Sequence, residues 1–89
     1  MAYMTNNKKQ VGNRLKRIEG QIRGLQKMVE EDKYCIDVIT QTSAIRNALK
    51  GVEDVLLEGH LSSCVVKQIK TGKQKKAVEE ILKVYKLKR

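Results

Sequence analysis

The residue types best suited to chemistry in this chain are one histidine, His60, and two cysteines, Cys35 and Cys64. His60 and Cys64 stand four positions apart in Gly-His-Leu-Ser-Ser-Cys (59–64). On a helix that spacing stacks both side chains on one face, roughly 6 Å apart, so an imidazole and a thiolate reach one ion. With Cys35 added, two thiolates and one imidazole make a soft three-donor set. Such a set suits Cu(I), which prefers sulfur and accepts low coordination. Zn(II) takes four ligands in structural sites and would need a further donor. Mg²⁺ and Ca²⁺ are excluded by donor type. The competing reading is a coincidence of position: a partly buried polar histidine near cysteines that serve as core residues. A catalytic pair at 60 and 64 finds no third residue to orient it, and no carboxylate pair has a pocket to hold it.

Hydrophobic spacing supplies the elements that must carry these donors. Val11, Leu15, Ile18, Ile22, Leu25 and Val29 recur at alternating steps of four and three, the seam of an amphipathic helix. Thr5, Asn6 or Asn7 is placed to cap it. Glu30-Glu31-Asp32-Lys33 interrupts the rhythm, with Asp32 as a candidate cap for the second helix. A second seam runs through Cys35, Val38, Thr42, Ile45, Leu49, Val52, Leu56 and Gly59, and Ile36, Ile39, Ala44, Ala48 and Val55 widen it. So wide an apolar face is expected to be buried on more than one side. Lys70-Thr71-Gly72-Lys73 marks a turn, and Ala77, Val78, Ile81, Leu82 and Tyr85 continue at helical spacing beyond it. The sequence predicts an all-α chain, one domain over residues 1–89, with helices at about 6–31, 34–67 and 73–87.

The long second helix poses a distance problem. At about 1.5 Å per residue, Cys35 lies about 37 Å along the axis from His60, too far for one ion to bridge within one chain. Two copies packed antiparallel resolve it. The start of one helix then lies beside the end of the other, Cys35 of one protomer meets His60 and Cys64 of its partner, and two-fold symmetry builds the site twice. A chain of 89 residues without Trp, Phe or Pro has a thin core, which association with copies of itself would supplement.

The net charge of +9 favours a polyanionic partner, nucleic acid first and an anionic membrane surface second; the alternative is a basic surface kept for solubility. Residues 1–9 hold no apolar run of the signal-peptide kind, and no run approaches the roughly 18 residues a membrane span needs. A cytoplasmic protein with reduced thiols is expected.

Three segments, 13–25 (Asn-Arg-Leu-Lys-Arg-Ile-Glu-Gly-Gln-Ile-Arg-Gly-Leu), 34–41 (Tyr-Cys-Ile-Asp-Val-Ile-Thr-Gln) and 59–65 (Gly-His-Leu-Ser-Ser-Cys-Val), together resemble the copper-sensing operon repressors of the bacterial CsoR/RcnR/FrmR group. The resemblance covers about residues 5 to 87. It implies a three-helix protomer, an antiparallel dimer with a four-helix core, and a disc-shaped dimer of dimers. It implies that Cys35, His60 and Cys64 bind Cu(I), one ion per protomer, in a site shared between two protomers. It places Tyr34 and Glu80 at positions whose side chains hydrogen-bond the free nitrogen of the ligand histidine, fixing its tautomer and direction. Nickel and cobalt sensors of the group add histidines, formaldehyde sensors lack a cysteine at position 64, and persulfide sensors carry a cysteine where His60 stands.

The function implied is repression of copper-export genes: the copper-free protein binds operator DNA and Cu(I) releases it. No helix-turn-helix is recognisable, so helical faces bearing Arg14, Lys16, Arg17, Arg46 and Lys50, with Lys83, Lys86 and Lys88 of the tail, are the candidate DNA surface. Persulfide or formaldehyde sensing, a Cu(I) buffer or chaperone, and an architectural nucleic-acid protein are the competing functions. An enzyme is not expected.

Overall fold

The seams sort themselves into two sets. Val11 and Ile18 of the first seam pack against Ile45 and Val52 of the second, with Leu25, Ala48 and Val55 at the margin. The alternate members, Leu15, Ile22 and Val29 on one helix and Leu49 and Leu56 on the other, stay exposed. Alternate seam positions lie on adjacent but different flanks of a helix, so one neighbour cannot cover both sets.

The computed structural model describes residues 7–88. It contains α1 (Lys8–Glu30), α2 (Cys35–Gly59), a π-helical segment (His60–Val65), α3 (Val66–Lys70) and α4 (Gln74–Lys88). Gly59, His60, Val65 and Val66 all keep right-handed helical backbone angles, so α2, the π segment and α3 run on as one rod. Three rods result, and no strand occurs among the described residues. The candidate caps Thr5 and Asn6, and Arg89 of the tail, lie outside the described residues.

Both turns are closed the same way. At the end of α1, the Asp32 N–H donates to the Val29 carbonyl and the Lys33 N–H to the Met28 carbonyl. At the end of α3, the Gly72 N–H donates to the Ile69 carbonyl and the Lys73 N–H to the Gln68 carbonyl. This paired pattern needs a left-handed residue at its centre. Gly72 supplies it at φ 78° and Asp32 at φ 54°. Asp32 therefore terminates α1; the residue flanking α2 at its start is Tyr34, and no side chain caps it. Asn7 likewise makes no capping bond at α1. Its Nδ2 instead donates to the Val55 carbonyl at 2.8 Å, tying the start of α1 to α2. Gly59 permits this approach, because a Cβ there would stand 2.5 Å from Asn7 Nδ2.

α1 runs antiparallel to α2, and α4 folds back along α3 and the π segment. Val65 and Ala77 are buried there. Lys88 Nζ reaches Asp54 at 2.9 Å, fastening the end of α4 to α2, and Asp54 raises the Lys88 pKa above its ordinary value of 10.5. The molecule measures 56 × 27 × 15 Å. Its smallest dimension leaves little room for a second layer, since one helix with side chains is already about 10–12 Å across. No helix among the described residues is long and apolar enough to cross a membrane.

Candidate metal centre and nucleic-acid face

His60 and Cys64 open and nearly close the π-helical segment, and both are half-buried. A π turn is a rare local widening of the helix, often found where function requires side chains to be re-aimed. Two hydroxyls bond into this turn. Ser63 Oγ donates to the Gly59 carbonyl at 2.6 Å and Ser62 Oγ to the same oxygen at 3.3 Å. Side-chain donors thus occupy a carbonyl that the ordinary helix ladder would use, and bonds of this type bend or loosen helices. Apolar spacing does not reveal this segment; its signal lies in Gly59 with the Ser62-Ser63 doublet after it.

Cys35 is the first residue of α2 and is exposed, with exposed Tyr34 before it. Neither cysteine forms a disulfide. Cys35 and His60 are separated by about seven helical turns, so they leave the rod on the same side. Exposed Leu49 and Leu56, and Thr42, lie along that side between them. Within one chain, no three His, Cys, Asp or Glu side chains among the described residues converge as a metal site. The structure brings His60 and Cys64 onto one turn and leaves Cys35 at the far end of the rod.

Glu80 lies on α4, half-buried against the continuous rod. Gln68 Nε2, on α3, donates to Glu80 Oε1 at 2.7 Å. This bond is the main reason the Glu80 carboxyl titrates below its ordinary value of 4.5; burial opposes the shift, and the charges of Lys76 and His60 add to it. His60 is therefore within electrostatic reach of Glu80, while the carboxylate's hydrogen bond goes to Gln68. Gln68 is not among the site residues expected from the sequence. Its signal is positional: His60, Cys64 and Gln68 form a polar column at steps of four. A carboxyl with a depressed folded pKa stabilises the fold at pH above its unfolded value, and that contribution is lost as the pH falls through the folded value. The thermal midpoints of wild type and the non-titrating Glu80→Gln variant are thus expected to differ at pH 6 and to converge below pH 4.5, as followed by circular dichroism across that range.

The basic residues expected at the DNA surface are carried by α1, α2 and α4. Lys16 and Arg17 on α1, and Arg46 and Lys50 one turn apart on α2, are exposed. Arg14 is half-buried and passes across α2, its guanidinium 3.1 Å from where a Cβ on Gly51 would stand. Arg14 thereby sits beside the residue next to Lys50 and joins the cations of the two helices. Lys88 of the tail is engaged by Asp54.

Fold and donors first define a class: a small, basic, three-rod helical protein carrying thiol and imidazole donors on one continuous rod. The chain belongs to the metal-sensitive transcriptional repressor family, whose model matches residues 7–86. It is 50% identical over 82 residues, 92% of this chain and 81% of the relative, to the copper-sensing transcriptional repressor CsoR of Bacillus subtilis (strain 168). It is 52% identical over 68 residues to the copper-sensing transcriptional repressor RicR of Mycobacterium tuberculosis (strain ATCC 25618 / H37Rv), covering 76% of this chain and 71% of that one. The crystal structure of the copper-sensing repressor CsoR with Cu(I) from Geobacillus thermodenitrificans NG80-2 superposes with a TM-score of 0.88 at 45% identity, covering 98% of this chain and 92% of that chain.

Proposed function

We propose that this chain is a Cu(I)-responsive transcriptional repressor. It binds operator DNA when copper-free and is released when Cu(I) binds, so that copper-export genes are expressed. The observation that carries this reading is the placement of the donors. Cys35 and the His60–Cys64 pair share one side of one rod, at opposite ends of an apolar stripe that the chain itself leaves uncovered. An antiparallel second copy covers the stripe and brings Cys35 to the partner's donors in one step. The donor chemistry fits a soft monovalent ion: both thiols ligate as thiolates and His60 ligates through a neutral ring nitrogen. One Cu(I) is held per protomer, and bound Cu(I) supplies a strong cross-link between two rods.

Residues 1–89 act as a single sensing and DNA-binding unit, in the bacterial cytoplasm, as a homodimer and as a dimer of dimers. The unit is not an enzyme; it transduces binding. Glu80, with Tyr34, accepts or relays the hydrogen bond from the ligand histidine. Arg14, Lys16, Arg17, Arg46 and Lys50 contact DNA phosphates and make operator binding fall with salt. Release requires that the DNA-free form bind Cu(I) more tightly, and linkage requires DNA to weaken Cu(I) binding by the same factor.

The test is operator binding by fluorescence anisotropy, with Cu(I), Zn(II), Ni(II), formaldehyde and persulfide titrated in turn. Cu(I) is expected to release the operator at one equivalent per protomer. Release by persulfide alone would remove copper from the reading. In the same assay Glu80→Gln is expected to bind Cu(I) with near-wild-type affinity and to release DNA poorly, since the carboxylate reports ligation to α4 without donating to the metal. Full release by this variant would exclude Glu80 from the switch.

A further inference from the structure

The hydrogen bond between Gln68 and Glu80 joins α3 to α4 one turn beyond Cys64 on the continuous rod. Its geometry is one-sided. The Gln68 amide donates through Nε2, but its Oε1 is buried and has no hydrogen-bond partner among the described residues. The amide cannot be turned over, because its oxygen would then face the carboxylate. Among the described residues Glu80 is thus the one hydrogen-bond partner of the Gln68 side chain, and its acceptor oxygen gains nothing where it is. A buried acceptor left unpaired is unfavourable, so the arrangement is poised to change once Glu80 is drawn elsewhere. The alternative attraction lies on the same rod: His60, Cys64 and Gln68 form one polar column at steps of four, with His60 two turns upstream of the Gln68 bond to Glu80. An imidazole that ligates metal through one nitrogen carries its proton on the other and becomes a stronger donor to a carboxylate.

We propose that Gln68 is a positioning residue of the sensor: it holds Glu80, and with it α4, whenever His60 is not a metal ligand, and it yields the carboxylate to His60 on ligation. The inference rests on the function proposed above. Gln68 and His60 are alternative partners for one carboxylate, and the choice between them sets where α4 sits against the rod. Gln68 therefore stabilises the operator-binding form. Because the exchange frees the Gln68 amide to find a donor for Oε1, the released form does not leave Gln68 worse satisfied than before.

Replacing Gln68 by Met keeps length and apolar volume and removes both amide atoms. In copper-free Q68M the operator affinity is expected to fall roughly fivefold to tenfold, the scale of one hydrogen bond to a charged group partly shared with solvent. Cu(I) affinity is expected to rise by a similar factor, because the two equilibria are linked. The opposite signs matter: a merely structural loss weakens both affinities. A second measurement uses the wild-type chain and is independent of how the variant folds. In ¹⁵N spectra the Gln68 side-chain amide is expected to be shifted by its carboxylate partner and to return to free-amide positions with Cu(I), which is diamagnetic. Unchanged affinities in Q68M, or a Gln68 amide that does not move with Cu(I), would overturn the role of Gln68 while leaving the copper reading intact. Wild-type protein that Cu(I) fails to release from the operator would instead overturn the underlying function, whatever Q68M does.

Discussion

An equimolar mixture of Cys35→Ser and Cys64→Ser chains, unfolded and refolded together, is expected to regain about one quarter of the wild-type Cu(I) capacity, although each variant alone binds almost none. The fraction comes from symmetry. In the antiparallel dimer proposed above, each site would take Cys35 from one protomer and His60 with Cys64 from the other. A heterodimer of the two variants concentrates both substitutions in one site and leaves the other complete. Random pairing makes about half of the dimers heterodimers, each with one working site of two. Anaerobic Cu(I) titration against a chromophoric chelator reads the capacity directly. A site built within one chain gives none in the mixture, and a site that needs only one thiol gives substantial binding in at least one variant alone. The placement of Cys35 and His60 at opposite ends of a continuous rod is what makes the first outcome the expected one.

The rods themselves are legible in the sequence because steps of three and four put apolar residues on one stripe, and the two breaks fall where that rhythm fails. The division of labour within each stripe is not. Val11 and Leu15 are equivalent in a seam read from the sequence, yet Val11 is buried and Leu15 is 45% exposed. Which flank meets the chain's own second helix, and which waits for another molecule, depends on how α1 is rotated about its axis. No local residue fixes that rotation. It is set by the summed packing of Val11, Ile18, Ile45 and Val52 and by contacts such as Asn7 with Val55.

Asp32 illustrates a second limit. Aspartate is a good helix cap and also one of the few residues that tolerates a left-handed backbone. The sequence signal for the two uses is the same, and the structure takes the second. Gly72 carries no such ambiguity, and its turn is plain from the sequence. The donors at 35, 60 and 64 stand out because His and Cys are scarce here. Gln68 is one of several glutamines, and its importance comes from facing Glu80 across two helices, a tertiary fact that single-helix spacing does not contain.

The uncovered stripe leads to the second large effect. Midway between Cys35 and the His60–Cys64 pair lies Leu49, 42% exposed in the single chain. If antiparallel pairing aligns the donors, the midpoint of the rod falls on the two-fold axis, and each Leu49 packs against the other. Leu49→Glu then places two like charges against one another in an apolar contact. An uncompensated buried charge costs about 3–5 kcal/mol, and each dimer would carry two. Sedimentation velocity is expected to show the variant as a monomer at concentrations where wild type is assembled. Cu(I) capacity and operator binding should vanish with the dimer, because in the proposed arrangement both depend on it. Leu49→Met, which conserves volume, is expected to cost less than about 1.5 kcal/mol and keep all three properties. Leu87→Glu serves as the control for charge alone, since Leu87 is 79% exposed near the end of α4. A Leu49→Glu chain that still assembled, bound Cu(I) and gripped DNA would place the shared interface on another face of the rod, and Cys35 would then need a different route to the imidazole.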